Sequence, residues 1–307
     1  MFSNNMTRRT KLFNMALLLG ILGLSASCGW EDPLAGLAGP EHEVIKPKTR
    51  GFTAMSFNIY GARGLTKESD YEALAGVIRF INPDFVMLQE VDSCTRRQAQ
   101  LQCNSAAKLV DILDATTNYK WYYNYSPAEF NPYNQGGAYG DAILSRHEIL
   151  WEKDYVLDYA PEHNDNPERE KRSVNVIKVS IGSKEIYIGC THFDHLGGEW
   201  SRISQANQLK EIVKEYDGKI FVLGGDLNAM PDSETLNIVT SYMTPSYTDK
   251  TQYTAPSKMK EPSPSKMIDY VMMADYSRDF IRCTSSNVYN HTASDHCAVY
   301  ATYSFIE

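Results

Sequence analysis

Six short polar clusters stand at the ends of apolar, strand-like runs, and this placement constrains the fold more than any other feature of the chain. They are Ser56-Phe57-Asn58-Ile59-Tyr60-Gly61, Leu88-Gln89-Glu90-Val91, Thr191-His192-Phe193-Asp194-His195, Gly224-Gly225-Asp226-Leu227-Asn228, Ile268-Asp269-Tyr270 and Ser294-Asp295-His296. One polar strand end means little. Six of them, spread over most of the chain, predict a fold that converges them on one rim. A rim of Asp, Asn, Glu and His suits a hard divalent cation and proton transfer, which is the chemistry of phosphate ester cleavage.

The runs between the clusters specify the layers. Residues 52–59 read as a first strand, and 71–81 carry Leu74, Val77, Ile78 and Ile81 at helical spacing, stopped by Asn82-Pro83. Residues 84–88 read as a buried strand and 106–113 as a helix. Strand-like runs follow at 121–125, 138–144, 149–157, 173–181 and 185–193, with Gly182-Ser183 as a hairpin turn between the last two. Residues 201–216 form an amphipathic pattern with Ile203, Leu209, Ile212 and Val213 inward, and strands at 219–223, 267–273, 280–288 and 297–305 complete the set. Early βαβ units and a mirrored second half predict two packed sheets with helices outside, in one domain over residues 51–307. Polar, Pro-bearing loops at 127–137, 158–171 and 247–265 are expected to frame the cleft and set substrate choice.

The N-terminus is separate. Arg8, Arg9 and Lys11 precede an apolar stretch over residues 13–24 and the small residues before Cys28, so residues 1–27 read as a secretory signal. Leu24-Ser25-Ala26-Ser27-Cys28 resembles a bacterial lipobox, with Ser25 where Leu is usual. Residues 28–50 then read as a lipidated N-terminus and tether, which places the protein at the cell envelope, at the outer membrane or cell surface. Removing the signal's three cations takes the formal net charge from −8 to −11. An acidic chain without a Lys/Arg run is a poor candidate for tight, nonspecific duplex binding, which rests on neutralising phosphates. Cys94 and Cys103 are nine apart in a polar stretch and could close a loop under oxidising conditions, whereas Cys190, Cys283 and Cys297 sit in apolar runs as small core residues.

Gly224-Gly225 lets the backbone turn sharply and delivers Asp226 and Asn228 together at a strand end; an Asx turn is the plainer reading of the same residues. Two histidines and an acid in His192-Phe193-Asp194-His195 can contact or protonate a phosphoryl oxygen. Asp269 is placed to orient His296, and Glu90 with Asn58 would complete an oxygen-rich Mg²⁺ site. Arg172 and Arg202 are candidates for a substrate clamp.

Taken in order, Asn58, Gln89-Glu90, Thr191-His192, Gly225-Asp226-Leu227-Asn228, Ile268-Asp269-Tyr270 and Ser294-Asp295-His296 resemble the endonuclease/exonuclease/phosphatase superfamily. That superfamily includes DNase I, exonuclease III, apurinic endonucleases, inositol polyphosphate 5-phosphatases and neutral sphingomyelinases. Gln89-Glu90-Val91-Asp92 with Thr95 and Arg97, and the run from Tyr139 to Arg146, are similar to its bacterial metal-dependent hydrolase branch. The resemblance implies a DNase I-like four-layer α/β/β/α sandwich with two mixed sheets face to face. It implies Glu90 as the main ligand of Mg²⁺ or Mn²⁺, with Asn58 and Asp295 close to the metal. Asp226 would activate water and Asn228 hold the phosphate. His296, oriented by Asp269, would contact phosphoryl oxygens or act as base, and His192 would serve as acid or phosphate contact. Asn58, His195 and Arg172 are the expected substrate contacts. Tyr60 departs from the apurinic endonucleases, which carry an acid two positions after the first Asn. The expected partner is a phosphodiester in nucleic acid, lipid or a small molecule, handled by a monomer. An extracellular nuclease, a phosphomonoesterase and a non-catalytic surface binding lipoprotein are the alternatives.

Overall fold

The computed structural model describes residues 50–64, 69–98, 103–130, 132, 136–158, 171–196, 198–247, 249, 251–258 and 264–307. The expected signal, Cys28 and nearly all of the tether lie outside the described residues, as do stretches of the three polar loops. In chain order the elements are β1 (Gly51–Asn58), α1 (Tyr71–Ile81), β2 (Phe85–Ser93), α2 (Ser105–Thr116), β3 (Tyr122–Phe130), β4 (Ala138–Ser145), β5 (Trp151–Leu157), β6 (Arg172–Ile181), β7 (Lys184–His192), α3 (Trp200–Lys214), β8 (Ile220–Asp226), α4 (Glu234–Val239), β9 (Met243–Pro245), β10 (Asp269–Ala274), β11 (Ile281–Tyr289) and β12 (Ala298–Phe305). No helix among the described residues is long and apolar enough to cross a membrane.

Two six-stranded sheets result, ordered β11-β12-β1-β2-β4-β3 and β5-β6-β7-β8-β10-β9. Each is mixed, with β1 parallel to β2 in the first and β7 parallel to β8 in the second. A parallel pair needs a long crossover, and α1 and α3 supply one each. Asp70 starts α1 by accepting the Ala73 amide at 2.9 Å, and Asn82 ends it in the left-handed conformation before Pro83. The Gly182-Ser183 turn joins β6 and β7 with Ile181 opposite Lys184, and Gly182 takes the positive φ of 61° that the two-residue turn requires.

Burial divides into three layers of core. Met55, Phe57, Val86 and Leu88 pack against Leu74 and Ile78 of α1 and Leu109 and Leu113 of α2. Phe221, Leu223 and Tyr270 pack against Leu209 and Val213 of α3 and Leu236 of α4. Phe52, Ala54, Phe85, Met87, Ile186, Ile188, Val222 and Val271 meet between the sheets. Helix, sheet, sheet, helix is the four-layer order that the resemblance implied.

Strand alternation carries this division to the strand ends. On β1, Phe52 and Ala54 face the opposite sheet while Met55 and Phe57 face the helices. Two residues per repeat then assign Asn58 to the space between the sheets. The same parity assigns Gln89 after Phe85 and Met87, His192 after Ile188 and Cys190, Asp226 after Ile220 and Val222, and Asp269 ahead of Val271 and Met273. Cys190 and Cys297 are fully buried, Cys283 partly, and Cys94 and Cys103 are free thiols whose backbones are joined by the Cys94 amide and Cys103 carbonyl at 3.0 Å.

Candidate active site

Asp226 ends β8, and its two strand neighbours supply its partners: His192 of β7 and Asp269 of β10 stand opposite it in register. Three polar groups on adjacent strands therefore meet at one edge of the second sheet. On the first sheet, Asn58 stands opposite Gln89. Asn58 reaches across, its Nδ2 donating to Asp226 Oδ2 at 3.1 Å and to Glu90 Oε1 at 3.2 Å, while its Oδ1 accepts the Tyr60 amide at 3.0 Å.

Glu90 arrives there by a different route. After the buried run from Phe85, simple alternation turns residue 90 toward the helices. The β2–β4 register instead slips between Leu88 and Val91, and Glu90 takes φ of 58°. This bulge shifts the phase by one residue, so Val91 packs with the helix-side core and Glu90 lines the pocket. Sequence reasoning ended the strand at Gln89-Glu90; β2 runs on to Ser93 through the bulge.

The pocket encloses about 280 Å³ and is lined by Glu90, Arg172, His192, His195, Asp226, Asn228 and His296, with Tyr60, Arg63, Arg97 and Tyr139. Asn228, with φ of 46°, donates its backbone amide to Asp226 Oδ1 at 2.9 Å. The Asx turn and the functional placement are one structure, since the turn aims both side chains into the pocket. Asn228 Nδ2 lies 3.1 Å from both His192 Nε2 and the Phe193 carbonyl.

Buried Arg172 organises the two histidines. Its Nη1 meets His192 Nδ1 at 3.3 Å and its Nη2 meets His195 Nδ1 at 3.2 Å. A guanidinium only donates, so both Nδ1 atoms accept; the neutral His192 ring then carries its proton on Nε2, and the Asn228 amide, itself a donor, directs its hydrogen to the Phe193 carbonyl and not to that nitrogen. That Nε2 faces Asp226 Oδ2 at 3.5 Å. Burial, with the Arg172 charge beside it, pushes His192 well below its ordinary pKa.

His296 is the opposite case. Its Nδ1 lies 3.0 Å from Asp269 Oδ2 and 3.7 Å from Asp226 Oδ2. Burial alone would lower its pKa, but the carboxylates of Asp269 and Asp226 overcome that and hold it up at about 10. Asp226 is itself raised, by burial first and then by the like charge of Asp269. Asp141 of β4 lies nearby, buried, accepting from Ser173 at 2.9 Å, and pushed up to about 7 by burial.

Ligand atoms of Asp226, Asp269 and His296 lie within 4.8 Å of one another, a spacing that suits a metal ion, but His296 held protonated leaves the two carboxylates as the donors. Glu90 and Asp226 add a second convergence, two carboxylates on one Asn58 amide. Such a donor set, oxygen-rich and without thiolate, fits a hard cation. Asp295 is only 8 % exposed, stands outside the pocket wall, and bears on the site through its charge on His296. Arg202 stands apart from the pocket wall, its Nη1 donating to the Asp194 and Leu196 carbonyls at 3.1 and 2.7 Å and tying down the loop after β7. Gln89 is fully buried between the sheets, its Nε2 bonded to the Met87 carbonyl at 3.0 Å and placed 3.2 Å from Cys190 Sγ. Arg63 was missed at the sequence level, because a single Arg in a Gly-flanked turn carries no periodicity.

Residues 55–296 match the model of the endonuclease/exonuclease/phosphatase family. The chain belongs to that family. A 5′-tyrosyl-DNA phosphodiesterase of Caenorhabditis briggsae is 25% identical over 213 residues, covering 67% of this chain and 53% of that protein. The chain thus spans about half the length of the curated relatives it matches. Among solved structures, an endonuclease/exonuclease/phosphatase from Beutenbergia cavernae superposes with a TM-score of 0.64 at 21% identity, covering 83% of this chain and 72% of that one. A mannosyl-6-phosphatase from Bacteroides thetaiotaomicron superposes with a TM-score of 0.59 at 17% identity, covering 83% and 99%. At these identities the superpositions show the shared fold alone.

Proposed function

We propose that the protein is a metal-dependent phosphoesterase that cleaves a phosphodiester by in-line attack of an activated water. One observation carries the reading: Asp226, Asn228, His192, Glu90 and the His296–Asp269 pair, drawn from both sheets, line or back a single pocket. Family membership and the phosphodiesterase named among the relatives support it.

Glu90 would be the main ligand of a Mg²⁺ or Mn²⁺ ion, with Asn58 and Asp295 close by. Bound there, the ion would polarise a phosphoryl oxygen and neutralise its developing charge. Asp226, whose raised pKa brings it toward neutrality, takes the proton of the attacking water. Asn228 and the Nε2–H of His192 hold phosphoryl oxygens without adding charge. Protonated His296, oriented by Asp269, donates to a phosphoryl oxygen and stabilises the transition state. Arg172 keeps His192 in the donating tautomer, and it and His195 contact the substrate's phosphate. The acidic net charge of −8 favours a small or transiently held phosphodiester over a tightly bound duplex.

Release of p-nitrophenol from bis(p-nitrophenyl) phosphate with Mg²⁺ or Mn²⁺ tests the activity. Asp226→Asn and His296→Ala are each expected to lower turnover by roughly 10²–10⁴-fold with an unchanged circular dichroism spectrum. Wild-type-like turnover in either would refute its role. Plasmid DNA and RNA, run as substrates in parallel, test the nuclease alternative.

We further propose that the chain acts as a monomer at the cell envelope, held by lipid on Cys28, on the strength of the basic n-region and lipobox-like run before it. Cys28→Ala should move the protein from the membrane fraction to the soluble one; retention in the membrane would exclude the anchor.

A further inference from the structure

The pocket has two walls, one from each sheet. Arg172, His192, Asp226 and Asn228 come from the second sheet and its strand ends, and they are the groups that handle the scissile phosphate in the reading above. The first sheet supplies Glu90, and beside it a stretch of wall that this chemistry leaves unused. Arg63 follows β1, Arg97 follows β2, and Tyr139 lies on β4; all three line the pocket.

Both arginines are held by built contacts. Arg97 is 16 % exposed at its side chain and meets the fully buried Asp92 Oδ1 through Nη2 at 2.7 Å and Nε at 3.3 Å. Its guanidinium lies over the Tyr139 ring, 4.9 Å from the centroid. Arg63 donates Nε to the Tyr60 carbonyl at 3.1 Å and lies over the Tyr60 ring at 4.1 Å. No acid among the described residues forms an ion pair with Arg63. The turn between them is shaped to bring Asp92 in: a side chain on Gly61 would put its Cβ 2.9 Å from Asp92 Oδ2 and 3.4 Å from Arg63 Nε. One buried carboxylate thus stands beside two guanidiniums, each over an aromatic ring at the pocket wall. Asp92 and Glu90 both act on Arg97, and two guanidiniums held at one pocket wall are suited to an anion, because a guanidinium presents a planar fork to phosphate or carboxylate oxygens.

We propose that Arg63 and Arg97 form a second anion subsite, so that the substrate carries a further phosphoryl group beside the scissile one. The proposal rests on the phosphoesterase reading and deepens it. The second group has two sources, a terminal phosphate on a small molecule or the neighbouring phosphate of a nucleic-acid strand.

Three substrates with one leaving group separate these cases: thymidine 5′-(p-nitrophenyl phosphate), the same ester with a 3′-phosphate, and the same ester with a second nucleotide on its 3′-oxygen. Wild type should favour at least one of the two charged substrates by roughly ten-fold in kcat/KM, the worth of one charge-assisted contact. Preference for the terminal phosphate alone assigns a small-molecule source; equal preference for both assigns a strand. The preference should collapse toward one in Arg63→Gln and in Arg97→Gln. Arg97→Lys, which keeps a cation beside Asp92, covers the case in which Arg97→Gln fails to fold. Lys153→Gln, on a surface ion pair with Glu215, should leave the preference intact. Turnover of all three with no preference, or a preference that survives Arg63→Gln and the folded Arg97 variant, overturns the subsite alone. No release from any of them with Mg²⁺ or Mn²⁺ overturns the phosphoesterase reading and the subsite with it. As a readout independent of turnover, thymidine 3′,5′-bisphosphate should raise the melting temperature more than thymidine 5′-phosphate, and Arg63→Gln should abolish the difference.

Discussion

Two histidines in this chain show how strongly surroundings set a side chain's chemistry. His296 stands between carboxylates and stays charged, whereas His291 has no such partner. His291 is 8 % exposed, its ring meets Phe57 edge to face at 5.0 Å, and its Nδ1 accepts the Ala293 amide at 3.1 Å. Burial pushes its pKa down to about 4 from an ordinary 6.5. A proton therefore binds the unfolded chain first. The stability of the neutral form is complete above pH 6.5 and is lost progressively as pH falls through 4. Between pH 7.5 and 5 this group should cost about 2 kcal/mol, read from urea unfolding at the two pH values. His291→Phe should flatten that part of the profile; an unchanged slope would show that other groups set it. Nothing local to His291 in the sequence distinguishes it from the pocket histidines. Its character comes from burial beneath Tyr289 and Phe57, the latter more than two hundred residues away.

At the scale of elements, local pattern was enough for most of the architecture. Helical spacing over 71–81 matches α1 residue for residue, and the Gly182-Ser183 turn lies where the two strand patterns placed it. The short pieces escaped: α4 has six residues and β9 three, too few for a period to show. Strand β2 was cut short because Gln89-Glu90 interrupts its apolar run, while the bulge lets the ladder continue to Ser93. Gly224 marks another element-scale decision. A Cβ there would lie 3.0 Å from Met87 Cβ and 3.1 Å from Ser56 Cβ, so β8 approaches the first sheet more closely than a side chain allows. Gly224→Val should cost about 1–3 kcal/mol through overpacking, measured as a fall in the urea midpoint. A neutral effect would mean that the sheets can part without loss. The same glycine was read in the sequence only as part of a turn.

At the scale of the molecule, two mixed sheets bring strand ends and the bulge of β2 around one pocket, in a chain of the endonuclease/exonuclease/phosphatase family. The sequence alone placed Asn58, His192, Asp226 and Asp269 at the ends of strands, because an apolar run and its polar stop are local; which face each takes followed from the packing of the sheets. It also supplied the apolar faces that drive the sheets and helices together. Tertiary structure alone decided how those residues meet. Register set His192 and Asp269 on either side of Asp226, a bulge turned Glu90 into the pocket against its own parity, and Arg172 fixed the proton of a histidine twenty residues away. The first-sheet wall of Arg63 and Arg97 belongs to this second class as well. Pairing register, backbone phase and electrostatic surroundings depend on groups distant along the chain, so no window of sequence contains them.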